Sequence, residues 1–498
     1  MNFMKTNLFY LNFTRKRLLL RQIIMSLFAG IPLSLGVVDS AASNLGATII
    51  SNAQGISTQA IQDEPLSEDY EVWINGIKAT VYVARVQDPP YFQINKNKPD
   101  VGGNYSFTSF DISGPTEIKI RSLKKSLKST ILRPDQAKVK RLVKSEHEIS
   151  FTINKPIKLD IEPDGKNAPL LLFANPVIDY KPVKGEKDLI YYGPGIHKPD
   201  SALIRLRDNQ TLYLAEGAIV KATVIVSGNN TTICGRGILD GNEFVWGTGV
   251  RNSVLIRGNN VVVKDIIIRG AAEWTIRIQG CNNIVIDNVK ILNGRAVNDD
   301  GINPVNAQDV LVKNCFVRTD DDCLAFKGTQ SPPNNKSVER ITVENTILWC
   351  NRSRVFLLGH ESRAEYMRDI TFRNIDIIHA GVMTIFLLEP GEEMKLQNVL
   401  FENIRINGEG QKELIRLKPV VNQYMRTKVP GYINDITFKN ITVTGKIAGD
   451  YSIQLTGADE KHIVSGVVMS GISITGNKIK TGAKNLKIDN YVYKVSIK

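Results

Sequence analysis

A pair of short β runs joined at an asparagine recurs through the second half of the chain. Six copies place the joining residue in the same phase: Asn288, Asn314, Asn345, Asn374, Asn403 and Asn440. Polar and apolar residues alternate within each run, so neither run can bury its apolar face without a neighbouring copy. Asparagine tolerates the left-handed backbone conformation, and amides stacked about 4.8 Å apart can hydrogen-bond into a ladder. The pattern predicts an all-β fold, a right-handed parallel β-helix over residues 191–498.

A different β pattern precedes this array. Alternating runs over 71–74, 79–86, 105–112, 116–121 and 148–153, with an Asn75-Gly76 hairpin turn, predict a smaller β-sandwich domain over residues 67–165. The stretch that follows is rich in proline and glycine, and we interpret residues 166–190 as a connecting segment.

The first 42 residues have the pattern of a secretory signal peptide. Basic residues precede an apolar run over 23–38, and Ser40-Ala41-Ala42 provides a small-residue cleavage site. The run is shorter than the roughly 20 residues that span a bilayer. We therefore expect cleavage near Ala42, a linker over 43–66, no stable membrane insertion, and a periplasmic, cell-surface or extracellular location.

Charge and cysteine content narrow the function classes. The formal charge is +13, and removal of residues 1–42 takes away five basic residues and one acidic residue, which leaves +9. No nucleic-acid-binding motif is present, so we expect no nucleic-acid partner. Five cysteines are an odd number and are widely scattered, which argues against a disulfide scaffold and against a metal site. Oligomeric state is not readable from the sequence.

Five aspartates are concentrated in two motifs about one repeat apart, Asn298-Asp299-Asp300-Gly301 and Thr319-Asp320-Asp321-Asp322-Cys323. Residues one coil apart in a β-helix lie side by side, so Asp300 should meet Asp321 and Asp322. Adjacent strand residues point oppositely, so Asp321 and Asp322 can share a face only if a bend interrupts the strand. Carboxylates sharing a groove suit glycoside hydrolysis. The alternative is a set of solvated turn aspartates.

These motifs resemble those of glycoside hydrolase family 28, the polygalacturonases. The first resembles the family's Asn-Thr-Asp-Gly, and residues 321–328 resemble its Asp-Asp-Cys stretch. The resemblance implies that Asp321 is the general acid, that Asp300 and Asp322 hold and activate water, and that hydrolysis inverts the anomeric carbon. It implies no metal and no organic cofactor.

Two motifs of that family are absent. Arg352-Ser353-Arg354 occupies the positions of its Gly-His-Gly, and Met383-Thr384-Ile385 replaces the Arg-Ile-Lys that binds the substrate carboxylate. A uronate would then need Arg354, Arg363 or Lys327 as a substitute. A β-sandwich before a β-helix without these motifs also resembles the related family 49, the dextranases and isopullulanases, which implies a neutral glycan.

The substrate-binding candidates share polar or aromatic character and positions near the aspartate motifs: Asn298, Lys327, Arg354, His360, Glu361 and Trp274. A tryptophan in a β-helix turn is equally suited to core packing, and His360 and Glu361 to a solvated loop. The leading hypothesis is an exported, cofactor-independent, inverting hydrolase of α-glycosidic bonds in a polysaccharide or oligosaccharide. The alternatives are a non-catalytic β-helix that binds carbohydrate and a calcium-dependent pectate lyase.

Overall fold

The computed structural model describes residues 53–54, 61–86, 102–178, 180, 182–249, 252–329, 336–449 and 452–498. The predicted signal peptide, and the predicted linker apart from residues 53–54 and 61–66, lie outside these ranges. Within the described ranges, no helix combines the length and the apolar character needed to cross a membrane. Two single-turn 3₁₀ helices are present there, Asp135–Ala137 and Asp200–Ala202.

The N-terminal part is a β-sandwich of two sheets. The first sandwich sheet has the order Ala53–Gln54, Tyr105–Ile112, Leu170–Pro176, Ile157–Lys166 and Ile131–Arg133, with Tyr82–Ala84 also paired to Tyr105–Ile112. The second sandwich sheet has the order Ile77–Ala79, Tyr70–Ile74, Thr116–Ser122, Glu148–Ile153 and Leu142–Ser145. Alternate residues such as Val72, Ile118 and Ile149 are fully buried between the sheets, which matches the period of two expected for half-buried strands.

Two details of the sandwich differ from the sequence prediction. The single run predicted over 79–86 is two strands, Ile77–Ala79 and Tyr82–Ala84, which belong to different sheets. The predicted boundary at residue 165 falls inside Ile157–Lys166, whose pairing partner Leu170–Pro176 lies wholly in the predicted connecting segment. The buried run from Leu170 to Phe173 explains this, because an apolar strand pairs and packs even where prolines and glycines flank it.

The rest of the chain winds into a parallel β-helix with two sheets. The wide sheet has 22 strands: Leu189–Tyr192, Gly195–His197, Thr211–Leu214, Ala218–Val220, Thr232–Gly235, Ile238–Asp240, Val261–Lys264, Ile267–Arg269, Asn282–Asp287, Lys290–Leu292, Gln308–Lys313, Phe316–Thr319, Val338–Glu344, Ile347–Cys350, Tyr366–His379, Lys395–Gln411, Tyr432–Ile447, Val464–Ser470, Ser473–Ile474, Asn477–Lys478, Val492–Tyr493 and Ser496–Ile497. The second sheet, called the groove sheet because it carries the predicted aspartate site, has 11 strands among the described residues: Leu203–Leu206, Thr223–Val226, Val254–Ile256, Ile276–Gln279, Ile302–Val305, Leu324–Gly328, Phe356–Ser362, Phe386–Leu388, Ile415–Leu417, Ile453–Leu455 and Leu486–Ile488.

The joining asparagines have the conformation that the repeat predicts. All six have positive φ, between 52° and 56°. Hydrogen bonds between the side-chain amides of these asparagines link adjacent coils. Asn403 donates to Asn374 at 3.3 Å, and Asn440 donates to Asn403 at 3.0 Å. The predicted all-β architecture, a right-handed parallel β-helix preceded by a smaller sandwich, is confirmed.

The interior of the β-helix is a continuous apolar column. Phe356 stacks on Phe386 with ring centroids 4.8 Å apart, and Phe372 stacks on Phe401 at 4.8 Å. These distances match the spacing between neighbouring strands, so identical residues in adjacent coils pack face to face. All five cysteines are buried and free, and Cys315 lies in this core as predicted.

The sandwich and the β-helix share a buried charged contact centred on His379. Its Nε2 lies 2.6 Å from Glu162 of the sandwich, and its Nδ1 bonds Glu409 of the next coil. Arg133 also pairs with Glu162, at 3.1 Å. Burial opposes the imidazolium, but three carboxylates, those of Asp160, Glu162 and Glu409, outweigh it and raise the pKa of His379 to about 10. Charged His379 therefore links the two parts.

Replacing His379 by glutamine should lower the free energy of unfolding by about 3 kcal/mol, because two buried carboxylates lose their shared cation. A histidine pKa raised from about 6.5 to about 10 contributes stability that is complete below pH 6.5 and disappears as pH rises through 10. Denaturant titrations should therefore show a wild-type advantage that is large at pH 6 and small near pH 10.5.

His147→Gln is the matched control, since His147 is exposed on the sandwich and should leave the curve unchanged. An equal loss for His379→Gln at both pH values would mean that packing, and not charge, accounts for the contact.

Candidate active site

A bend between two strands presents the second aspartate motif. Phe316–Thr319 ends and Leu324–Gly328 begins on either side of residues 320–323, which are not in a strand. Asp299, fully buried in the preceding coil, holds this bend: its Oδ1 accepts the backbone N–H groups of Asp320 at 2.8 Å and Asp321 at 3.0 Å. The interruption of alternation that the sequence analysis required is therefore present.

Strand register places the two motifs side by side. Ile302 pairs with Leu324, and the N–H of Gly301 donates to the carbonyl oxygen of Asp322 at 2.9 Å. The side-chain amide of Asn298 lies 3.3 Å from both Asp300 Oδ1 and Asp321 Oδ2. Asn298 thus connects Asp300 and Asp321, while the register puts Asp300 beside Asp322.

Asp300 is buried and surrounded by donors. Asn303 donates to its Oδ2 at 2.7 Å, and the Lys327 ammonium lies 3.3 Å from the same oxygen. Burial raises the pKa of Asp300 well above the usual range; Lys327 opposes this rise, and the charges of Asp321 and Asp322 add to it. The carboxyl therefore holds a proton more readily than an exposed aspartate.

Asp322 and Asp321 differ in exposure. Asp322 is buried, and its Oδ1 accepts from the Ser353 hydroxyl at 2.6 Å and the Arg354 N–H at 2.9 Å. Burial raises the pKa of Asp322, with a further rise from the charge of Asp321 and a lowering from Arg354. Asp321 is only partly buried and is the most accessible of the three carboxylates.

Three of the predicted substrate-binding residues form one contact group beside Asp300. The ammonium of Lys327, itself buried, lies 3.3 Å from Glu361 and 3.8 Å from the centroid of the Trp274 ring. Burial opposes the charge of Lys327, but the carboxylates of Asp300 and Glu361 outweigh it and raise the lysine pKa. Trp274 is partly exposed, so it is not a residue of the helix interior.

His360 belongs to a separate polar group. Its Nδ1 lies 2.8 Å from Glu389, its carbonyl accepts from Asn422 at 2.7 Å, and the Tyr424 ring lies edge-on at 5.4 Å. Tyr424 is 50% exposed. Among the described residues, the contacts of His360 are with this group and not with Asp300, Asp321 or Asp322, so a direct role of His360 in the chemistry has no geometric support.

Sequence reasoning missed three residues of the site. Asp299 holds the bend, Asn303 donates to Asp300, and Ser353 donates to Asp322. Asn303 follows Asp300 by three residues and faces outward in its strand, which the alternation alone could have indicated. The motif resemblance separates Asp300 from Asp299, which stands at its threonine position, but nothing in the sequence assigns Asp299 to holding the bend.

Among the described residues, Asp160, Glu162 and His379 are the group whose ligand atoms converge closely enough for a metal ion. Both nitrogens of that histidine are already bonded to carboxylates. The group lies at the contact between sandwich and β-helix and is not part of the aspartate site.

The comparisons with known proteins agree with this geometry. The family model described as glycosyl hydrolases family 28 matches residues 221–492, which is more than half of the chain. The chain belongs to this family. The resemblance inferred from the aspartate motifs, and with it the class of glycoside hydrolase, is confirmed.

Curated family 28 relatives cover part of the chain. An exopolygalacturonase of Cochliobolus carbonum is 23% identical over 52% of this chain and 55% of its own length. Polygalacturonase-2 of Solanum lycopersicum is 22% identical over 53% of this chain and 60% of its own length. The chain thus spans little more than half the length of these polygalacturonases.

Among solved structures, Dex49A from Penicillium minioluteum superposes with a TM-score of 0.65 at 16% identity, covering 88% of this chain and 96% of its own. The match extends over most of the chain, beyond residues 221–492, and this supports the predicted structural similarity to family 49. At such low identity the match concerns the fold alone.

The pKa of Asp300 leads to a test on Lys327. Replacing Lys327 by methionine removes the cation that lowers the pKa of Asp300, so that pKa should rise further. If Asp300 must be ionised to activate water, the acidic limb of the kcat/KM profile should move to higher pH in the variant.

Lys395→Met, which changes a lysine paired with Glu365 on the wide sheet, is the control and should leave the profile unchanged. If the acidic limb does not move in Lys327→Met, the ionisation of Asp300 does not determine the pH dependence of kcat/KM.

Proposed function

We propose that this protein is an exported hydrolase that cleaves α-glycosidic bonds of a polysaccharide or oligosaccharide with inversion at the anomeric carbon. The observation that supports this most directly is the convergence of three carboxylates: Asn298 joins Asp300 to Asp321, and the strand register puts Asp300 beside Asp322. Two of these carboxylates are buried, and each has donors that fix its orientation. An inverting hydrolase needs such a set: one acid for the leaving oxygen and a base for water.

The division of roles follows exposure. Asp321 is the most accessible carboxyl and protonates the glycosidic oxygen, while Asp300 and Asp322 together orient the attacking water. Close negative charges make each successive deprotonation of the cluster harder, so it keeps a proton at pH values where an isolated aspartate is ionised. The proposed reaction requires a proton on Asp321, and the groups that stabilise ionised Asp300 and Asp322 are Lys327, Asn303 and Ser353.

The lyase alternative has weaker support. A calcium-dependent lyase uses aspartate oxygens as ligands of a divalent cation. Here the Lys327 ammonium already lies 3.3 Å from Asp300 and would repel such a cation. The predicted signal peptide supports export, and a mature N-terminus near residue 43 in the exported protein would test it.

Asp321→Asn should lower kcat by about 10²- to 10⁴-fold, the range for losing a general acid. The measurement is reducing-sugar release from pectic glycans, dextran, pullulan and other plant or algal glycans, with and without a chelator. Activity that persists in chelator without unsaturated product is expected.

The control is Asp309→Asn, an exposed aspartate of the wide sheet that pairs with Arg340 and has the positive φ that asparagine accepts. It should retain full activity. Absence of hydrolysis on every glycan, with measurable glycan binding, would support the non-catalytic alternative instead.

A further inference from the structure

The positive charge of this protein is concentrated in the sandwich. Residues 119–158 contain twelve basic and three acidic residues, which gives this stretch a net charge of +9. The whole of residues 43–498 has the same net charge, so the rest of that part of the chain is balanced. A strong charge asymmetry along a chain is typical of proteins that bind a polyanion or an anionic membrane.

Four lysines of this stretch surround one open cavity of about 670 Å³. Lys138 and Lys140 precede the edge strand Leu142–Ser145, which contains Lys144, and Lys155 follows the neighbouring strand. All four side chains are exposed. We call this cavity, with its four lysines, the basic pocket. All of its lining residues belong to the sandwich, so the pocket is separate from the aspartate site of the groove sheet.

The lysines of the basic pocket have no carboxylate partners. Other cations of the same stretch are paired, as Lys125 is with Asp164 and Lys128 with Glu146. Within the part of the chain that the structure describes, no lysine of the basic pocket forms an ion pair, and Glu117 is the one acidic residue of the lining. Four like charges around one cavity repel one another, and a bound anion would relieve that repulsion.

Apolar residues accompany these lysines. Val139, Leu142 and Ile157 line the basic pocket. Leu142 is 56% exposed, and the adjacent Val143 is 41% exposed. A soluble polyanion would pair with the lysines but leave these apolar side chains in water. An anionic membrane accommodates both, because its phosphates face the cations and its headgroup boundary takes up exposed apolar side chains.

The edge strand is poorly suited to pairing with another protein. All residues of Leu142–Ser145 are exposed, and its pairing register shifts between Val143 and Ser145. Such an irregularity makes an edge a weak template for a further strand. Arg141 donates to the carbonyl oxygen of Lys128 at 3.1 Å, which ties the start of the strand to the sandwich. The side chains of this edge, and not its backbone, are therefore what a partner contacts.

We propose that the sandwich docks on an anionic lipid surface through the basic pocket and the edge strand Leu142–Ser145. The lysines contact lipid phosphates, and Leu142 enters the boundary between headgroups and acyl chains. This docking is peripheral and needs no membrane-spanning segment. It is independent of the proposed hydrolase function, because none of the residues involved belongs to the aspartate site.

The test is sedimentation of the purified protein with vesicles of equal parts phosphatidylcholine and phosphatidylglycerol, and with vesicles of phosphatidylcholine alone. Binding to the mixed vesicles alone is expected, and it should weaken as ionic strength rises. The triple variant Lys138→Gln, Lys140→Gln and Lys144→Gln should lower the affinity about 100-fold, roughly fivefold for each lysine. Absence of binding to the mixed vesicles, or equal binding to both kinds of vesicle, would overturn the proposal.

The matched control is a second triple variant, Lys478→Gln, Lys480→Gln and Lys484→Gln. It removes the same charge from three exposed lysines near the C-terminal end of the β-helix. This variant should bind the mixed vesicles as the wild type does, and both triple variants should retain hydrolysis of a soluble glycan. An equal loss of vesicle affinity in the two triple variants would show that binding follows net charge and not the basic pocket.

A variant of the apolar contact separates a lipid surface from a soluble polyanion. Leu142→Ser should lower the affinity for the mixed vesicles about tenfold, as expected for a leucine side chain that is partly removed from water. It should leave binding to soluble polyphosphate unchanged, since that ligand offers no apolar region. If Leu142→Ser has no effect on vesicle binding, or if the wild type binds polyphosphate but not the mixed vesicles, the partner is a soluble polyanion and the lipid surface is excluded.

Discussion

The spacing of parallel coils is the constraint on which the rest of this structure depends. Each coil forms hydrogen bonds to the next at about 4.8 Å, so residues at equivalent positions must lie side by side. Phenylalanines stack in the interior at 4.8 Å, and the joining asparagines form amide ladders. The same stacking brings Asp300 beside Asp322, which places two carboxylates at a distance that an unconstrained chain would avoid. The free energy of folding therefore offsets the electrostatic repulsion between these carboxylates.

Because the aspartates are held close together, each needs a neighbouring group that stabilises its negative charge. Lys327 offsets Asp300, Ser353 and Arg354 offset Asp322, and Asp299 holds the bend that turns Asp321 toward the same face. Lys327 and Arg354 are therefore both engaged with carboxylates of the site.

The sequence predicted those parts of the structure that repeat or that carry a motif. The asparagine phase predicted the coil. The two aspartate motifs predicted a shared site for Asp300, Asp321 and Asp322, on the condition that a bend breaks the strand alternation at Asp321 and Asp322. The paired roles of Asp299 and Ser353 were not predictable, since they depend on which carboxylate turns inward. The sandwich boundary was misplaced because an apolar strand, Leu170–Pro176, lies among prolines and glycines.

The central claim is that the three aspartates act together on water and on the glycosidic oxygen from opposite sides of the bond. Proton NMR of the first sugar released, recorded before mutarotation, tests this most directly. The account predicts a product whose anomeric configuration is opposite to that of the bond cleaved, which is an initial β anomer from an α-linked chain. An initial α anomer would require a covalent intermediate and would contradict the water-holding roles of Asp300 and Asp322. An olefinic signal would show elimination in place of hydrolysis.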